Sequence, residues 1–287
     1  MIALHLRSEE APSALTTTLT LARRELRDAL RSRWFLLYTL AFAALGLGVS
    51  FASAATSGGG MTGFGRTSAG LINLVLLVVP LMALTAGAGT IASDRERGML
   101  PYLLAQPVNR VEVLLGKFVG LALTLVASIA LGFGAVASVL AWHGSGAQPG
   151  SIIQLAGLSV GLAVAMLSVG LLISTFARRT SVATGAAIFL WLGLVFVSDL
   201  GLMAGAMTFK MSIEKLFAVA LANPLHVFKM WSLQSVDASL DVLGPAGLYA
   251  QETYGRWLLG MFAASLAAWT LIPLGLAALL FGRRSSP

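Results

Sequence analysis

The sequence contains no cysteine and few charged residues. Of its 287 residues, 11% are Asp, Glu, Lys or Arg and 57% are hydrophobic, whereas soluble domains carry about 25% charged residues. The absence of cysteine excludes disulfides, thiolate metal sites and cysteine nucleophiles. The scarcity of charge places the chain outside the ordinary class of soluble globular proteins.

The motifs that usually carry catalysis are also missing. The chain has no G-x-x-x-x-G-K-[ST] loop to hold ATP phosphates, and it has no H-E-x-x-H or G-x-S-x-G motif. Its three histidines, His5, His143 and His226, lie outside the apolar runs. We therefore expect a non-catalytic chain that binds no cofactor of its own, and these motifs assign no metal ligands.

Long apolar runs dominate what is present. About 20 residues of helix cross the hydrocarbon core of a bilayer, and only helices or closed barrels satisfy the backbone in lipid. These runs are too long, and too rich in Leu and Ala, for barrel strands. They predict an all-α integral membrane protein with six transmembrane helices, at residues 34–55, 70–92, 117–142, 151–176, 182–207 and 256–281.

The segments outside the six-span domain, 34–281, are short. Residues 1–17 form a polar N-terminal tail and residues 282–287 form a second tail. Residues 18–33 place apolar side chains at helical spacing among five arginines and lead into Trp34. This pattern predicts a basic amphipathic helix in the membrane interface. The alternative is a solvated helix that flanks the first span.

The basic residues are distributed unequally between the two membrane faces. With six spans, 14 of the 19 Arg and Lys residues fall on the side of both termini and of residues 93–117, which we call the connector. The positive-inside rule places that side in the cytoplasm, as in a multi-pass protein of the bacterial inner membrane. The largest loop, 208–255, then lies in the periplasm. We expect no nucleic-acid binding, because the basic residues follow the span ends.

The connector between spans two and three is both charged and patterned. Gly98 and Pro101 frame a helix start, and Pro107 ends that helix. Asn109 and Glu112 have the spacing of a capping box for a second helix that enters span three. The connector is therefore predicted to be a rigid, helical element. The alternative is an ordinary loop.

These residues carry a family resemblance. The connector resembles the segment between spans two and three of ABC-2-type transporter permeases. The shared pattern is a group of acidic residues followed by Gly98, a Leu-rich turn, Pro107, Arg110 and Gly116-Lys117. Within that family, the sequence is most similar to the permease of the nitrous-oxide-reductase maturation transporter. The similarity lies in residues 22–28 with Arg33-Trp34, in residues 114–120 and in Asn223-Pro224. The resemblance covers most of the chain.

The resemblance implies a homodimer with a pair of cytoplasmic ATPase subunits that bind ATP and Mg²⁺. The connector would be the main coupling helix, and the turn between spans four and five would be a second contact. The residues implied in ATPase coupling are Asp94, Arg95, Glu96, Arg97, Gly98, Leu100, Leu103, Leu104, Arg110, Arg178 and Arg179. In that system the permease also works with a periplasmic partner in the maturation of a copper site.

Two features on the opposite side could be functional. Asp199 is the one acidic residue within a predicted span, and it either carries a proton or cation or lies hydrated or hydrogen-bonded at the span's outer end. Met203, Met207 and Met211 share a helix face, with His226 following. Thioethers suit Cu(I), but such a stripe more often packs. We expect loop 208–255 to fold on the outer membrane surface and to hold a periplasmic partner.

Two other function classes fit a polytopic membrane chain. A self-contained secondary transporter or channel would favour paired ionisable groups near the middle of the membrane and internal repeats, and the sequence offers only Asp199, off centre. A passive anchor for a periplasmic assembly would show no ATP-dependent conformational change.

Overall fold

The computed structural model of the protein describes residues 14–56, 62–99, 102, 109–142, 149–196, 200–201, 204, 212–235, 251 and 253–283. All regular elements in these ranges are helical. They are α1 (Ala14–Leu30), α2 (Arg33–Thr56), α3 (Thr62–Glu96), α4 (Arg110–Trp142), α5 (Pro149–Phe176), α6 (Thr180–Phe196), α7 (Ile213–Ala222), α8 (Pro224–Ser235), a 3-10 turn (Gly255–Trp257) and α9 (Leu258–Arg283).

Five segments are long and apolar enough to cross a membrane, namely Arg33–Ala52, Ser68–Glu96, Arg110–Trp142, Gly150–Phe176 and Gly255–Arg283. They confirm five of the six predicted spans. The predicted span 182–207 overlaps α6, an apolar helix of 17 residues. The apolar pair α7 and α8 is bent by 103° at its junction, as in a broken span or a re-entrant loop, and counting it as one span raises the total to six.

The helix pair α7–α8 was only partly predicted. Residues 210–222 have the side-chain spacing of an amphipathic helix, and α7 ends at Ala222. Helix α8 was not expected, because the sequence suggested a loop on the outer membrane surface. Most of α8 is buried, including Val227, Phe228 and Met230, and it packs in the same core as α5 and α9. Its apolar side chains therefore belong to the interior of the bundle.

The two ends of the connector are defined by local caps. Gly98, the second residue after α3, adopts φ 68°, and its N–H donates to the carbonyl of Arg95. A glycine in this left-handed conformation ends helices without the steric cost that a Cβ adds. At the far end, the N–H of Val111 donates to Asn109 Oδ1 at 3.2 Å and the N–H of Asn109 donates to Glu112 Oε2 at 3.4 Å. These bonds confirm the predicted capping box.

Helices α3 and α5 cross with their backbones in direct contact. A Cβ on Gly170 would lie 2.5 Å from the carbonyl oxygen of Leu84, and one on Gly87 would lie 2.7 Å from that of Leu167. Close to this crossing, the buried Ser174 hydroxyl accepts hydrogen bonds from the N–H groups of Ile91 and Ala92, each at 2.9 Å. Small residues at such crossings permit close helix packing in membranes. Gly87 and Gly170 therefore allow the backbones of α3 and α5 to touch.

Replacement of Gly170 with Ala is expected to destabilise the bundle, because the new methyl group overlaps backbone atoms that cannot move aside. Overpacking of this kind typically costs about 1–3 kcal/mol. The matched control is Gly157→Ala in the same helix, where an added Cβ meets nothing within 4 Å. Thermal unfolding in detergent should show a lower midpoint for the first variant only. Equal midpoints for the two variants would contradict the close crossing.

Candidate functional site

The predicted coupling residues that the structure describes lie together at one end of the bundle, which we call the connector side. Asp94 to Glu96 end α3, Arg97 and Gly98 follow, Arg110 begins α4, and Arg178 and Arg179 lie between α5 and α6. The predictions for Leu100, Leu103 and Leu104 lie outside the described residues. So do those for Asp199, Met203, Met207 and Met211.

A buried ion cluster joins three helices on the connector side. The Lys117 ammonium of α4 lies 3.0 Å from Glu25 Oε2 of α1 and 2.8 Å from Asp94 Oδ2 of α3. Only 11% of the Lys117 side chain is exposed. Charges removed from water need partners and hydrogen bonds in the protein. One cation between two carboxylates therefore holds the end of α3 against α1 and α4.

Glycines on α4 bring α1 close enough for this contact. A Cβ on Gly120 would lie 2.6 Å from the carbonyl oxygen of Ala22 and 2.7 Å from Cβ of Glu25. Gly116, one turn earlier, makes a similar approach to Leu21 of α1. Because Lys117 lies between the two glycines, the backbone contact positions Glu25 beside its ammonium group. The sequence Gly116–Gly120 thus has a direct structural role.

Two consecutive residues at the end of α3 hold the turn between α5 and α6. The guanidinium group of Arg95 donates to the carbonyls of Ala177 and Thr175 at the end of α5. Glu96 Oε2 accepts the N–H of Thr180 at 2.9 Å, where α6 begins. A cation at a helix C-terminus and an anion at a helix N-terminus both complement the helix dipole. The two side chains also satisfy backbone groups left unpaired at the helix ends.

These contacts change the expected role of Arg95. Its side chain is partly buried and binds backbone within the chain, so it is not a free surface charge. Arg97, Arg178 and Arg179 are exposed. Because Glu96 bonds to Thr180, the residue after Arg179, the end of α3 and the α5–α6 turn form one continuous surface. We call these three exposed arginines the arginine surface.

A cavity of about 690 Å³ lies beside the ion cluster. Residues of α1, α2, α3, α4 and α6 form its wall. Glu25, Asp94 and Lys117 border it, and Tyr38 and Thr124 also line it. Its volume is in the range of small-molecule sites. The ion cluster therefore borders an open space on one side and packed helices on the other.

Asn223 lies at the bend between α7 and α8 and forms the hydrogen bonds that hold it. Its Nδ2 donates to the carbonyl of Leu194 on α6 at 2.9 Å, and its Oδ1 accepts the N–H of Leu225 in the first turn of α8 at 3.0 Å. From α9, the Ser265 hydroxyl and the Trp269 indole N–H donate to the carbonyls of Leu221 and Ala222. Irregular backbone in an apolar setting needs such partners.

Of the functional residues predicted on the side opposite the connector, the structure describes His226. His226 is buried on α8, and Met230 is a core residue with 2% exposure. Across the described ranges, no group of three or more His, Asp or Glu side chains could hold a metal ion. The packing and copper interpretations of Met203, Met207 and Met211 both stay predictions, because these residues lie outside the described ranges.

Sequence reasoning missed the contacts that connect distant segments. Lys117 was counted as one of the connector's basic residues, and Glu25 was treated as part of an amphipathic helix. The glycines on either side of Lys117 were a usable signal, since small residues mark close helix contacts. No local pattern indicated the partners of Arg95, Glu96, Ser174 or Asn223.

Comparisons with known proteins agree with this architecture. The family described as ABC-2 family transporter protein matches residues 19–286. The probable ABC transporter permease protein NosY of Stutzerimonas stutzeri is 33% identical over 271 residues, which cover 92% of this chain and 97% of that protein. The protein of the same name from Pseudomonas aeruginosa is 32% identical over 274 residues, covering 92% of this chain and 98% of that protein.

Replacement of Lys117 with Met should destabilise the protein strongly, because Glu25 and Asp94 would face each other without a cation. Removing one partner from a buried ion pair costs about 3–5 kcal/mol. The triple variant Glu25→Gln, Asp94→Asn, Lys117→Met should regain most of this loss. Arg24→Met is the control, because its pair with Asp28 is exposed and such pairs contribute about 0–1 kcal/mol. A thermal midpoint of Lys117→Met equal to wild type would contradict the cluster.

Asn223→Ala should lose both the α8 cap and the bond to α6, whereas Asn223→Ser keeps an acceptor for the cap. We expect Ala to cost more than the ~0.5–2 kcal/mol of a lost cap, and Ser to cost less than Ala. Asn109→Ala, which removes an exposed cap at the start of α4, serves as the matched control. The measurement is thermal unfolding in detergent. If Asn223→Ala and Asn109→Ala cost the same, the bond to Leu194 contributes nothing.

Proposed function

Because the chain belongs to the ABC-2 family of transporter proteins, we propose that it is the permease subunit of an ABC transporter and that the connector receives the motion of a separate ATPase. The chain itself has no phosphate-binding loop. We propose a homodimer that binds a pair of cytoplasmic ATPase subunits carrying ATP and Mg²⁺. The assembly couples ATP hydrolysis to transport or to mechanical work across the membrane.

The observation that carries this proposal is the set of contacts made by three consecutive residues at the start of the connector. Asp94 is tied through Lys117 to α1 and α4. Arg95 binds the end of α5, and Glu96 binds the start of α6. A force applied after Glu96 therefore reaches four other helices through direct bonds. Packed elements transmit such displacements because they are not continuously deformable.

We propose that the arginine surface, Arg97, Arg178 and Arg179, contacts the ATPase. The three side chains are exposed on one surface, while the neighbouring Arg95 and Glu96 are used within the chain. Complementary charges steer association and fix the register of a complex. Arg110 is half-buried at the other end of the connector and would lie beside this contact.

The proposed orientation follows the basic residues. Of the 19 Arg and Lys residues, 14 belong to the termini, the connector and the α5–α6 turn, so these segments are proposed to face the cytoplasm. The protein would then lie in the bacterial inner membrane with loop 208–255 on the periplasmic side. That loop includes α7 and α8, which are bonded to α6 and α9.

We propose further that the complex serves maturation of the copper site of nitrous oxide reductase, together with a periplasmic partner held by loop 208–255. The support is the similarity to two permeases named NosY over 92% of this chain. In this proposal the α7–α8 pair carries motion of α6 and α9 to the partner. The chain need not bind copper itself, since the work on the partner can be mechanical.

The test is retention of the ATPase. The variant Arg97→Glu, Arg178→Glu, Arg179→Glu should reduce co-purification of the ABC ATPase subunit about tenfold or more, because three complementary contacts become repulsive. The control is Arg256→Glu, an exposed arginine beside Trp257 at the start of the last span, which should leave retention unchanged. Both variants should keep the wild-type thermal midpoint. Wild-type retention in the triple variant would overturn the proposed docking surface.

A further inference from the structure

Helix α1 has one side that packs on the bundle and one that does not. Ala22 is buried, with 2% exposure, and Leu21 and Glu25 face the glycines of α4. At 100° per residue these positions share one face with Thr18 and Leu26. The opposite face is centred on Arg27, and its side chains are exposed within the part of the chain that the structure describes.

This outer face carries a row of arginines. Arg23, Arg27 and Arg31 are four residues apart, so their Cα atoms lie about 6 Å apart along the helix axis. All three are exposed, and none forms an ion pair with another described residue. Arg24 pairs with Asp28 at 3.8 Å at the edge of the row. Glu25 does not offset the row, because its carboxylate points to Lys117.

Apolar side chains flank the same row. Leu19 is 62% exposed and Leu30 is 39% exposed, and helical geometry places both within about 40° of Arg23. Trp34, 73% exposed, follows at the start of α2. Helix α2 begins the first membrane span at Arg33, and the Ser32 hydroxyl accepts the N–H of Phe35 in its first turn. The row therefore lies at the level where a span enters the membrane.

We propose that the outer face of α1 is a binding site for the phosphate headgroups of anionic phospholipids in the adjacent leaflet. Guanidinium groups form strong, often bidentate, hydrogen bonds with phosphate. Leu19 and Leu30 would then enter the acyl boundary and Trp34 the headgroup layer, as in interfacial helices. The close backbone contact with α4 holds the row at a fixed height, so the site is formed before lipid binds.

A lipid surface fits this face better than a second protein does. The arginines and exposed leucines lie side by side on a helix that continues into a membrane span after only two residues. An aqueous protein partner would leave the leucines beside the bilayer unexplained. Neighbouring anionic lipids contribute about a factor of five in binding for each basic residue near the membrane surface, so three arginines form a strong site.

The experiment measures lipid binding to the full chain in detergent by native mass spectrometry. Phosphatidylglycerol should bind wild type at least about tenfold more tightly than phosphatidylcholine at low salt, and the preference should shrink as salt screens the charges. The variant Arg23→Gln, Arg27→Gln, Arg31→Gln should lose the preference, and the corresponding triple Lys variant should keep most of it. Gln and Lys both favour helix, so folding should be preserved.

The matched control removes the same charge elsewhere, with Arg97→Gln, Arg178→Gln and Arg179→Gln. It should keep the phosphatidylglycerol preference. The proposal is overturned if wild type binds both lipids equally, or if the two Gln variants lose the preference to the same extent. It is also overturned if the α1 variant keeps its lipid preference but loses the ATPase subunit, because the face would then belong to a protein partner.

Discussion

The Lys117 ammonium is the group on which the connector side depends. It is enclosed by Glu25 and Asp94, and each carboxylate comes from a different helix. A lysine at this depth without partners would be costly, so the position of α1 and the end of α3 are set by the need to surround it. The adjacent glycines of α4 let the backbone of α1 approach closely, and the ion cluster fixes the register of α1 against α4.

Polar side chains at other helix ends also meet the need of buried polar groups for partners. Where a helix ends against apolar neighbours, a side chain from another helix completes its backbone hydrogen bonds. Arg95 and Glu96 do this for α5 and α6, Asn223 in the α7–α8 bend does it for α6, and Ser265 and Trp269 of α9 do it for the end of α7. Each such contact joins two helices that are distant in sequence, so the polar residues of this chain connect the bundle at its two ends.

Sequence alone predicted the features that depend on local pattern. The five long spans follow from apolar length, and the capping box follows from the spacing of Asn109 and Glu112. It could not predict which charges meet, because Glu25 and Lys117 look like ordinary solvated residues until α1 is placed on α4. Helix α8 was missed because its polar residues, including His226 and Ser232, suggested an exposed loop, whereas tertiary packing buries both.

Arg95 and Glu96, which lie at the end of α3 and bind the ends of α5 and α6, also determine where the connector can change in length. Arg95 and Glu96 reach opposite ends of the α5–α6 turn only because they occupy consecutive positions at the last turn of one helix. An inserted or deleted residue between Asp94 and Glu96 would rotate the following side chain by about 100° and would separate the ion cluster from the turn. The cap at Asn109 and the buried Lys117 impose the same kind of register at the other end of the connector, so evolutionary variation in connector length should avoid Asp94 to Gly98 and Asn109 to Lys117.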